Sequence, residues 1–114
     1  MKFLDHGRHR AVFAYEGFAI KVPTCEDGIK ANKFEWDTYH TASPCGRRYL
    51  AKPYALCGRV MVVQMYEFEM YTEAEVAAWY ARLVDIFGDS VLYDITPHNL
   101  VALKNNHPKL LDYS

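Results

Sequence analysis

Short apolar runs separated by turn residues predict β-structure in the first half of the chain. "AVFAYEGFAIKVP" contains two runs rich in Val, Phe, Ile, Tyr and Ala, joined at Glu16-Gly17, where glycine can take the positive φ of a tight turn. We therefore expect a hairpin from about Ala11 to Val22. Pro23 should end its second strand, because proline lacks the N–H that a sheet hydrogen bond requires.

Two further pairs of strands are expected later in the chain. The segment "RYLAKPYALCGRVMVVQMYE" predicts an antiparallel pair that turns at Cys57-Gly58. Pro53 would confine the first of these strands to a sheet edge or to a bulge. Near the C-terminus, "SVLYDITPHNLVAL" and "KLLDYS" predict two short strands that pair across a turn between Lys104 and Pro108.

Two segments predict helices, so the chain as a whole belongs to the α+β class. The first runs from about Gly28 to Thr41, where loosely spaced apolar residues leave the helix register open. The second, "TEAEVAAWYARLVDIFG", begins with Thr72 and Glu75 at the spacing of a capping box, and Gly88 suits its C-terminal end. Its apolar positions recur at helical intervals: Val76, Trp79, Tyr80, Leu83, Ile86 and Phe87.

Composition and charge limit the classes of function. The 114 residues, 51% of them hydrophobic, suffice for one globular domain with its own core. The 13 basic and 14 acidic residues nearly cancel, so the net charge gives no reason to expect a nucleic-acid partner. The sequence has neither a signal-peptide core nor the roughly 20 apolar residues of a membrane span, so we expect no membrane partner.

The cysteines and histidines favour a reduced setting without a structural metal. Cys25, Cys45 and Cys57 are odd in number and form no C-x-x-C pair, which favours a cytoplasmic location. The five histidines never fall at the i,i+4 spacing that directs two side chains of a helix at one zinc ion.

The polar stretch inside "VLYDITPHNLV" is compatible with three interpretations. Asp, Thr, Pro and Asn all favour turns, so it can be a surface turn. It can also be the start of a helix capped by Thr96 or Asp94, with Pro97 in the first turn. The third interpretation is a catalytic loop, in which Asp94 and Asn99 are the functional residues.

Four segments, taken in order, carry a resemblance to a known family. "AIKV" places Lys21 on a strand, and "NKFEWDTY" places Glu35 on the helix that follows. "YDITPHNLV" has the D-x-x-x-x-N spacing in Asp94 and Asn99, and "LLDYS" has Asp112 where D-F-G is expected. The chain thus resembles the protein kinase-like superfamily, particularly the aminoglycoside and other small-molecule phosphotransferases and related bacterial and phage kinase-like proteins.

The resemblance implies an α+β, protein kinase-like fold in a single minimal domain over residues 1–114. An N-terminal antiparallel sheet with one helix would occupy about residues 1–66. A minimal C-terminal helical part with the catalytic-loop hairpin would occupy about residues 67–114.

The resemblance also implies ATP and Mg²⁺ as cofactors, with a role for each matching residue. Asp94 would accept the proton of the acceptor hydroxyl. Lys21 would bind the α and β phosphates and would be held in place by Glu35. Asn99 and Asp112 would be the magnesium ligands.

Nucleotide contacts are implied on several elements. They are Gly7, Val12, Ala19, Lys21, Met65, Glu67 and Val101. Val12 and Ala19 would cover one face of the adenine and Val101 the other. The edge of the base would meet the backbone of the connector from Met65 to Phe68.

The chain departs from the family pattern at several positions. "DHGRHRAVF" offers only Gly7 in place of G-x-G-x-x-G, although Arg8 and Arg10 would supply compensating charge. Leu92 and Tyr93 stand where the family has its His or Arg before the catalytic aspartate. Tyr113 and Ser114 replace the Phe and Gly of D-F-G, and no activation segment or A-P-E motif follows.

Three hypotheses about function follow. The first is ATP- and Mg²⁺-dependent phosphotransfer to a protein or a small molecule. The second is a catalytically weak or inactive kinase-like protein that acts by binding a target protein or a second copy of itself. The third is an α+β domain unrelated to kinases.

Overall fold

The computed structural model describes residues 1–88 and 95–113 of the chain. They form two compact units, one of Met1–Thr41 with Lys52–Met65 and the other of Ala42–Ala51 with Tyr66–Ser114. The described residues contain a five-stranded antiparallel sheet, a three-stranded sheet and three α-helices, so the predicted α+β class is confirmed. Among them, every helix is too short or too polar to cross a membrane.

The first unit is a five-stranded sheet with one long helix. The sheet order is β1-β2-β3-β5-β4, and each neighbouring pair is antiparallel. Its elements are β1 (Lys2–His6), β2 (Arg10–Tyr15), β3 (Phe18–Pro23), α1 (Glu26–Thr41), β4 (Pro53–Cys57) and β5 (Val60–Gln64).

The predicted β2–β3 hairpin is confirmed, including its turn. Tyr15 pairs with Phe18, so the loop is the two residues Glu16 and Gly17, with φ angles of 48° and 83°. Positive φ at both loop residues matches the twist of the flanking strands. Pro23 is the last residue of β3, as expected.

The predicted β4–β5 hairpin is also present, with its turn one residue later than expected. Cys57 pairs with Val60, so the loop is Gly58-Arg59, and Gly58 takes a φ of 61° at the first loop position. Pro53 lies on an edge strand beside a register shift, which confirms both parts of its prediction.

The inner face of α1 is polar, which explains why its apolar spacing did not define the register. Its buried residues are Gly28, Asn32 and Glu35, whereas Phe34 is 46% exposed. Gly28 lies so close to β2 that a Cβ atom there would overlap the carbonyl oxygen of His9. The helix begins two residues earlier than predicted.

The apolar core of the first unit lies on the sheet. Ala19, Met61 and Val63 are buried together, and Trp36 of α1 packs against them. The edge strand β1, which was not predicted, is exposed along its whole length. Its five residues bury too little apolar surface to leave a clear pattern in the sequence.

The second unit combines a short sheet with α3. The sheet order is β6-β7-β8, and the predicted pairing of the last two strands is confirmed. The elements are α2 (Pro44–Arg47), β6 (Glu69–Met70), α3 (Glu73–Phe87), β7 (Leu100–Ala102), a 3-10 helix (Lys104–Asn106) and β8 (Pro108–Leu110).

Helix α3 has the predicted ends, and its predicted apolar stripe is buried in part, since Tyr80 is 39% exposed. Thr72 Oγ1 accepts a hydrogen bond from the N–H of Glu75 at 3.2 Å, and Glu75 Oε1 accepts from the N–H of Thr72 at 3.0 Å. Gly88 follows the last turn with a φ of 65°. Val76 and Leu83, two turns apart, are buried.

Candidate functional site

The register of β2 and β3 brings three of the predicted nucleotide-binding residues to one face of the sheet. Val12 lies directly opposite Lys21. Ala19 precedes Lys21 by two positions, and residues two apart on a strand point to the same face. Helix α1 packs on this face as well, because its Glu35 contacts Lys21.

Lys21 and Glu35 form the contact that the sequence predicts. Lys21 Nζ lies 2.7 Å from Glu35 Oε1. The exposed fraction of the side chain is 7% for Lys21 and 0% for Glu35. A charge-assisted hydrogen bond of this length between buried groups holds the lysine in one direction. The roles of both residues in nucleotide binding stay predictions.

Arg10 is a second cation on the same carboxylate. Its Nη1 donates to Glu35 Oε1 at 2.9 Å and its Nη2 donates to Oε2 at 3.1 Å. Arg10 was expected to help cover the phosphates, whereas the structure directs its guanidinium at Glu35. The sequence does contain a signal for this placement: Arg10 precedes Val12 by two residues, and residues two apart on a strand point to the same face of the sheet.

Asn32 completes a buried cluster of four polar side chains, which we call the Arg10–Lys21–Asn32–Glu35 cluster. Asn32 Oδ1 accepts from Arg10 Nη1 at 2.9 Å. Its Nδ2 donates to the carbonyl oxygens of Lys21 at 3.0 Å and Arg59 at 2.8 Å. Asn32 thus joins α1 to three strands or turns of the sheet. The sequence signal that could have identified Asn32 is its position three residues before Glu35, because residues three apart on a helix lie on the same face.

The cluster places the carboxylate of Glu35 between the basic side chains of Arg10 and Lys21, away from water. Buried charges are costly unless they are paired and fully hydrogen-bonded. Among the described residues, every buried side-chain nitrogen and oxygen has a hydrogen-bond partner. The formal charges of Arg10, Lys21 and Glu35 sum to one positive charge, which suits an anionic ligand better than a neutral one.

Gly7 lies in a turn that does not depend on glycine. Its N–H donates to the carbonyl oxygen of Arg10 at 2.8 Å. A Cβ atom at position 7 would lie 3.5 Å from that oxygen, which is ordinary van der Waals contact, and Gly7 has no positive φ. The turn between β1 and β2 therefore shows no steric need for a bare backbone at this position.

In the second unit, the backbone places the two predicted magnesium ligands at the same end of the β7–β8 hairpin. Leu111 donates its N–H to the carbonyl oxygen of Asn99 at 2.9 Å, and Asp112 is the next residue. Tyr113 is buried and donates its hydroxyl to the carbonyl oxygen of Ala51 at 2.9 Å, which fixes the segment after β8. Val101, the predicted adenine contact, is fully buried in β7.

These residues offer two oxygen donors for a metal ion. Mg²⁺ usually takes one or two carboxylates, keeps several waters and binds substrate phosphates. Asn99 and Asp112 fit that requirement by donor type. Within the described ranges, no group of three or more His, Cys, Asp or Glu side chains is arranged to hold a metal ion.

The described part of "VLYDITPHNLV" is a turn rather than a helix. The N–H groups of Asn99 and Leu100 both donate to the carbonyl oxygen of Thr96, at 3.0 and 2.8 Å. The interpretation as a helix capped by Thr96 is therefore wrong for residues 95–100. Asp94, the predicted catalytic base, lies outside the described residues, as do residues 92, 93 and 114.

In the connector from Met65 to Phe68, one of the backbone groups predicted to meet the edge of the adenine is already hydrogen-bonded. Met65 donates its N–H to the carbonyl oxygen of Gly17 at 3.2 Å, so that donor is already used within the first unit. Glu67 is exposed and belongs to the second unit. A contact of Met65 with the adenine edge would need its carbonyl group or a rearranged N–H.

Two titratable groups of the second unit have shifted pKa values that the sequence did not indicate. Burial, together with the charge of Arg48, lowers the pKa of Lys109, whose Nζ donates to the carbonyl oxygen of Leu50 at 3.4 Å. Burial, together with the charge of Glu75, raises the pKa of Tyr71.

Comparison with known proteins assigns no family to the chain. No protein-family model matches it, and no curated protein matches it. Its function is therefore inferred from the residues and their geometry.

Proposed function

We propose that this protein is a minimal kinase-like phosphotransferase that uses ATP and Mg²⁺ and acts on a protein or a small molecule. One observation carries the proposal, namely the buried 2.7 Å contact between Lys21 of β3 and Glu35 of α1. In protein kinases, a lysine on the third strand pairs with a glutamate of the following helix and binds the α and β phosphates.

The surroundings of Lys21 support a nucleotide as the ligand. Val12 and Ala19 lie on the same sheet face within its apolar core, and we expect them to contact the flat face of a purine. The lysine is on a central strand, paired on both sides, so its position is rigid. Rigid elements hold binding groups more accurately than loops do.

The second unit supports a metal-dependent reaction. Asn99 and Asp112 provide the hard oxygen donors that Mg²⁺ prefers, at one end of the β7–β8 hairpin. Asp94 would then orient the acceptor hydroxyl and take its proton while the γ-phosphoryl group leaves.

The competing explanation is that the buried cluster only stabilises the fold. Replacing a buried ion pair by apolar residues of similar volume is often neutral or stabilising. The desolvation of Arg10, Lys21 and Glu35 therefore costs free energy that an apolar contact between helix and sheet would not require. Charged side chains are almost never fully buried unless they are paired, and this concentration of three of them favours a ligand-binding role.

The decisive experiment is thermal unfolding of the full chain with and without MgATP. Ligand at about 100 times its Kd should add about 2.7 kcal/mol to the free energy of unfolding. Lys21→Met should lose most of this effect. Lys33→Met is the matched control, because Lys33 is on α1 with a 73% exposed side chain. No stabilisation of wild type at millimolar MgATP would overturn the proposal.

A second candidate is a kinase-like binding protein without turnover, as a homodimer or with a target protein. The observation that favours it is an open, mainly apolar cavity of about 330 Å³ beside α3. Its lining residues are Glu73, Val76, Ala77, Tyr80, Ile95 and Pro97. Light scattering distinguishes a dimer from a monomer, and a clean monomer at high concentration would contradict self-association.

Asp94→Asn separates the two candidates. A phosphotransferase should keep its nucleotide affinity but lose turnover by about 10² to 10⁴, the usual contribution of a positioned base. ATP consumption and autophosphorylation of wild type and Asp94→Asn measure this loss. Absence of phosphoryl transfer by wild type, with unchanged self-association in the variant, would favour the binding protein.

A further inference from the structure

Two basic side chains contact the carboxylate of Glu35 with different geometries. Arg10 contacts both carboxylate oxygens, at 2.9 and 3.1 Å, in a bidentate arrangement. Lys21 donates from its single ammonium group to Oε1, at 2.7 Å. The guanidinium is planar and permanently charged, so this arrangement fixes the plane of the carboxylate as well as its charge.

The position of Arg10 is itself fixed. Its Nη1 also donates to Asn32 Oδ1, and Asn32 in turn donates to the carbonyl oxygens of Lys21 and Arg59. The side chain of Arg10 is 7% exposed. Arg10 therefore belongs to the framework of the sheet and α1, rather than to the exposed turn that precedes β2.

A lysine paired with a single buried carboxylate has its charge cancelled by that carboxylate. If the lysine turned toward a phosphate, the carboxylate would be left buried without a counter-ion, which is strongly unfavourable. Arg10 removes this conflict, because it neutralises Glu35 through both oxygens whether or not Lys21 remains in contact.

We infer that Arg10 is a positioning residue of the proposed nucleotide site: it neutralises Glu35, so that the charge of Lys21 serves a phosphate group of the ligand. The inference rests on the proposed function and adds to it that the affinity for phosphate depends on a residue that does not itself touch the ligand. The substrate group concerned is a di- or triphosphate.

The test is calorimetric titration of inorganic pyrophosphate, and in parallel MgATP, into the full chain at constant ionic strength. Arg10→Met should weaken binding of the probe by about tenfold or more, as loss of a charged hydrogen-bonding group typically does. Arg10→Lys retains the charge without the bidentate geometry and should restore part of the affinity. Arg59→Met is the matched control, since that side chain is exposed and only its carbonyl group contacts the cluster.

The rescue by Arg10→Lys distinguishes a charge effect from loss of structure, provided that the variants keep the wild-type circular dichroism. Equal affinity of wild type and Arg10→Met for both probes would overturn the inference and leave the proposed function intact. Failure of wild type to bind either probe would overturn both.

A second measurement needs no ligand and covers the case in which Arg10→Met does not fold. If Arg10 neutralises Glu35, then Lys21→Met should shift the urea midpoint much less than Glu35→Ala does. Midpoints lowered equally by Lys21→Met and Glu35→Ala would show that the carboxylate depends on the lysine, which contradicts the inference.

Discussion

The two long helices of this protein bury opposite kinds of surface. Helix α3 buries Val76 and Leu83, two members of the apolar stripe that its sequence periodicity predicts. Helix α1 buries Asn32 and Glu35, while its Phe34 is exposed. The register of α3 follows from the hydrophobic effect alone, whereas that of α1 is set by hydrogen bonds and ion pairs to the sheet.

This difference separates the part of the molecule that stabilises from the part that we expect to function. Apolar burial is favourable without exact partners, so α3 would pack in many related sequences. The charges under α1 must be paired with good geometry to be tolerated at all. Apolar residues would attach a helix to a sheet without this requirement, which is why we expect the cluster to have a role beyond packing.

The largest expected effect is that of Glu35→Ala, which leaves Arg10 and Lys21 buried without their shared carboxylate. Removing one partner of a buried ion pair typically costs about 3–5 kcal/mol. Urea unfolding monitored by tryptophan fluorescence measures it in the first unit, with Trp79→Phe in the background so that Trp36 is the only reporter. Asp37→Ala is the control, since Asp37 is 58% exposed on the same helix and should change stability by less than about 0.5 kcal/mol. Equal effects of the two variants would contradict the structure of the cluster.

The corresponding change in the apolar helix is Leu83→Ala. Leu83 is fully buried, and such truncations cost about 2–5 kcal/mol through lost burial and the cavity left behind. Unlike Glu35→Ala, this loss should not vary with salt concentration, because no charge is involved. Ala81→Ser, at an exposed position of the same helix, is the control. A strong salt dependence of the Leu83→Ala loss would contradict the contrast between the helices.

A smaller effect is expected at the start of α3. Thr72→Ala removes the hydroxyl that accepts from Glu75 and should lower the free energy of unfolding by about 1 kcal/mol. Thr41→Ala, at the end of α1, is the comparison, because that hydroxyl only donates to carbonyl groups within its own helix. Chemical denaturation of both variants should rank Thr72→Ala as the more damaging. The reverse order would show that the cap contributes little.

The smallest effect at neutral pH concerns Lys109 in the second unit. Burial lowers its pKa below the ordinary 10.5, so the unfolded chain binds this proton more tightly than the folded chain. Stability should therefore rise with pH in the window between the lowered pKa and 10.5, by at most about 1.4 kcal/mol per pH unit for one proton. Lys109→Met should remove this slope, and the exposed Lys104→Met should keep it.

The pKa of Tyr71 is raised, so its contribution has the opposite sign: stability is lost as pH rises above its ordinary value of 10.0. Because wild type and Lys109→Met share Tyr71, the difference between their stability slopes isolates the effect of Lys109. An unchanged slope in Lys109→Met would contradict the assignment.

Local signals allowed much of the fold to be predicted. Both hairpins of the first unit, the β7–β8 pairing and the ends of α3 follow from turn residues, a capping box and apolar spacing within short windows. The strands β1 and β6 were not predicted, because their residues are exposed and carry no periodic pattern. The register of α1 depends on groups distant in the chain, which a local pattern does not contain.

The candidate site was predicted only in part, because some of its contacts join residues that are distant in the chain. The contact of Lys21 with Glu35 followed from the order of elements in the family that the chain resembles. The place of Arg10 did not, because it lies 25 residues from Glu35 and 22 from Asn32, and only the folded sheet brings them together. The predicted role of Asp94 concerns a residue outside the described structure.

The absence of a side chain at Gly28 has a consequence for how the chain can vary. A Cβ atom at this position would overlap the carbonyl oxygen of His9, so even a methyl group would force the first turn of α1 away from the start of β2. Asn32 and Glu35 lie one and two turns further along the same helix, and their bonds to the sheet would lengthen with that shift. In a library of variants, glycine should be the one residue accepted at position 28, although it touches neither charge nor ligand.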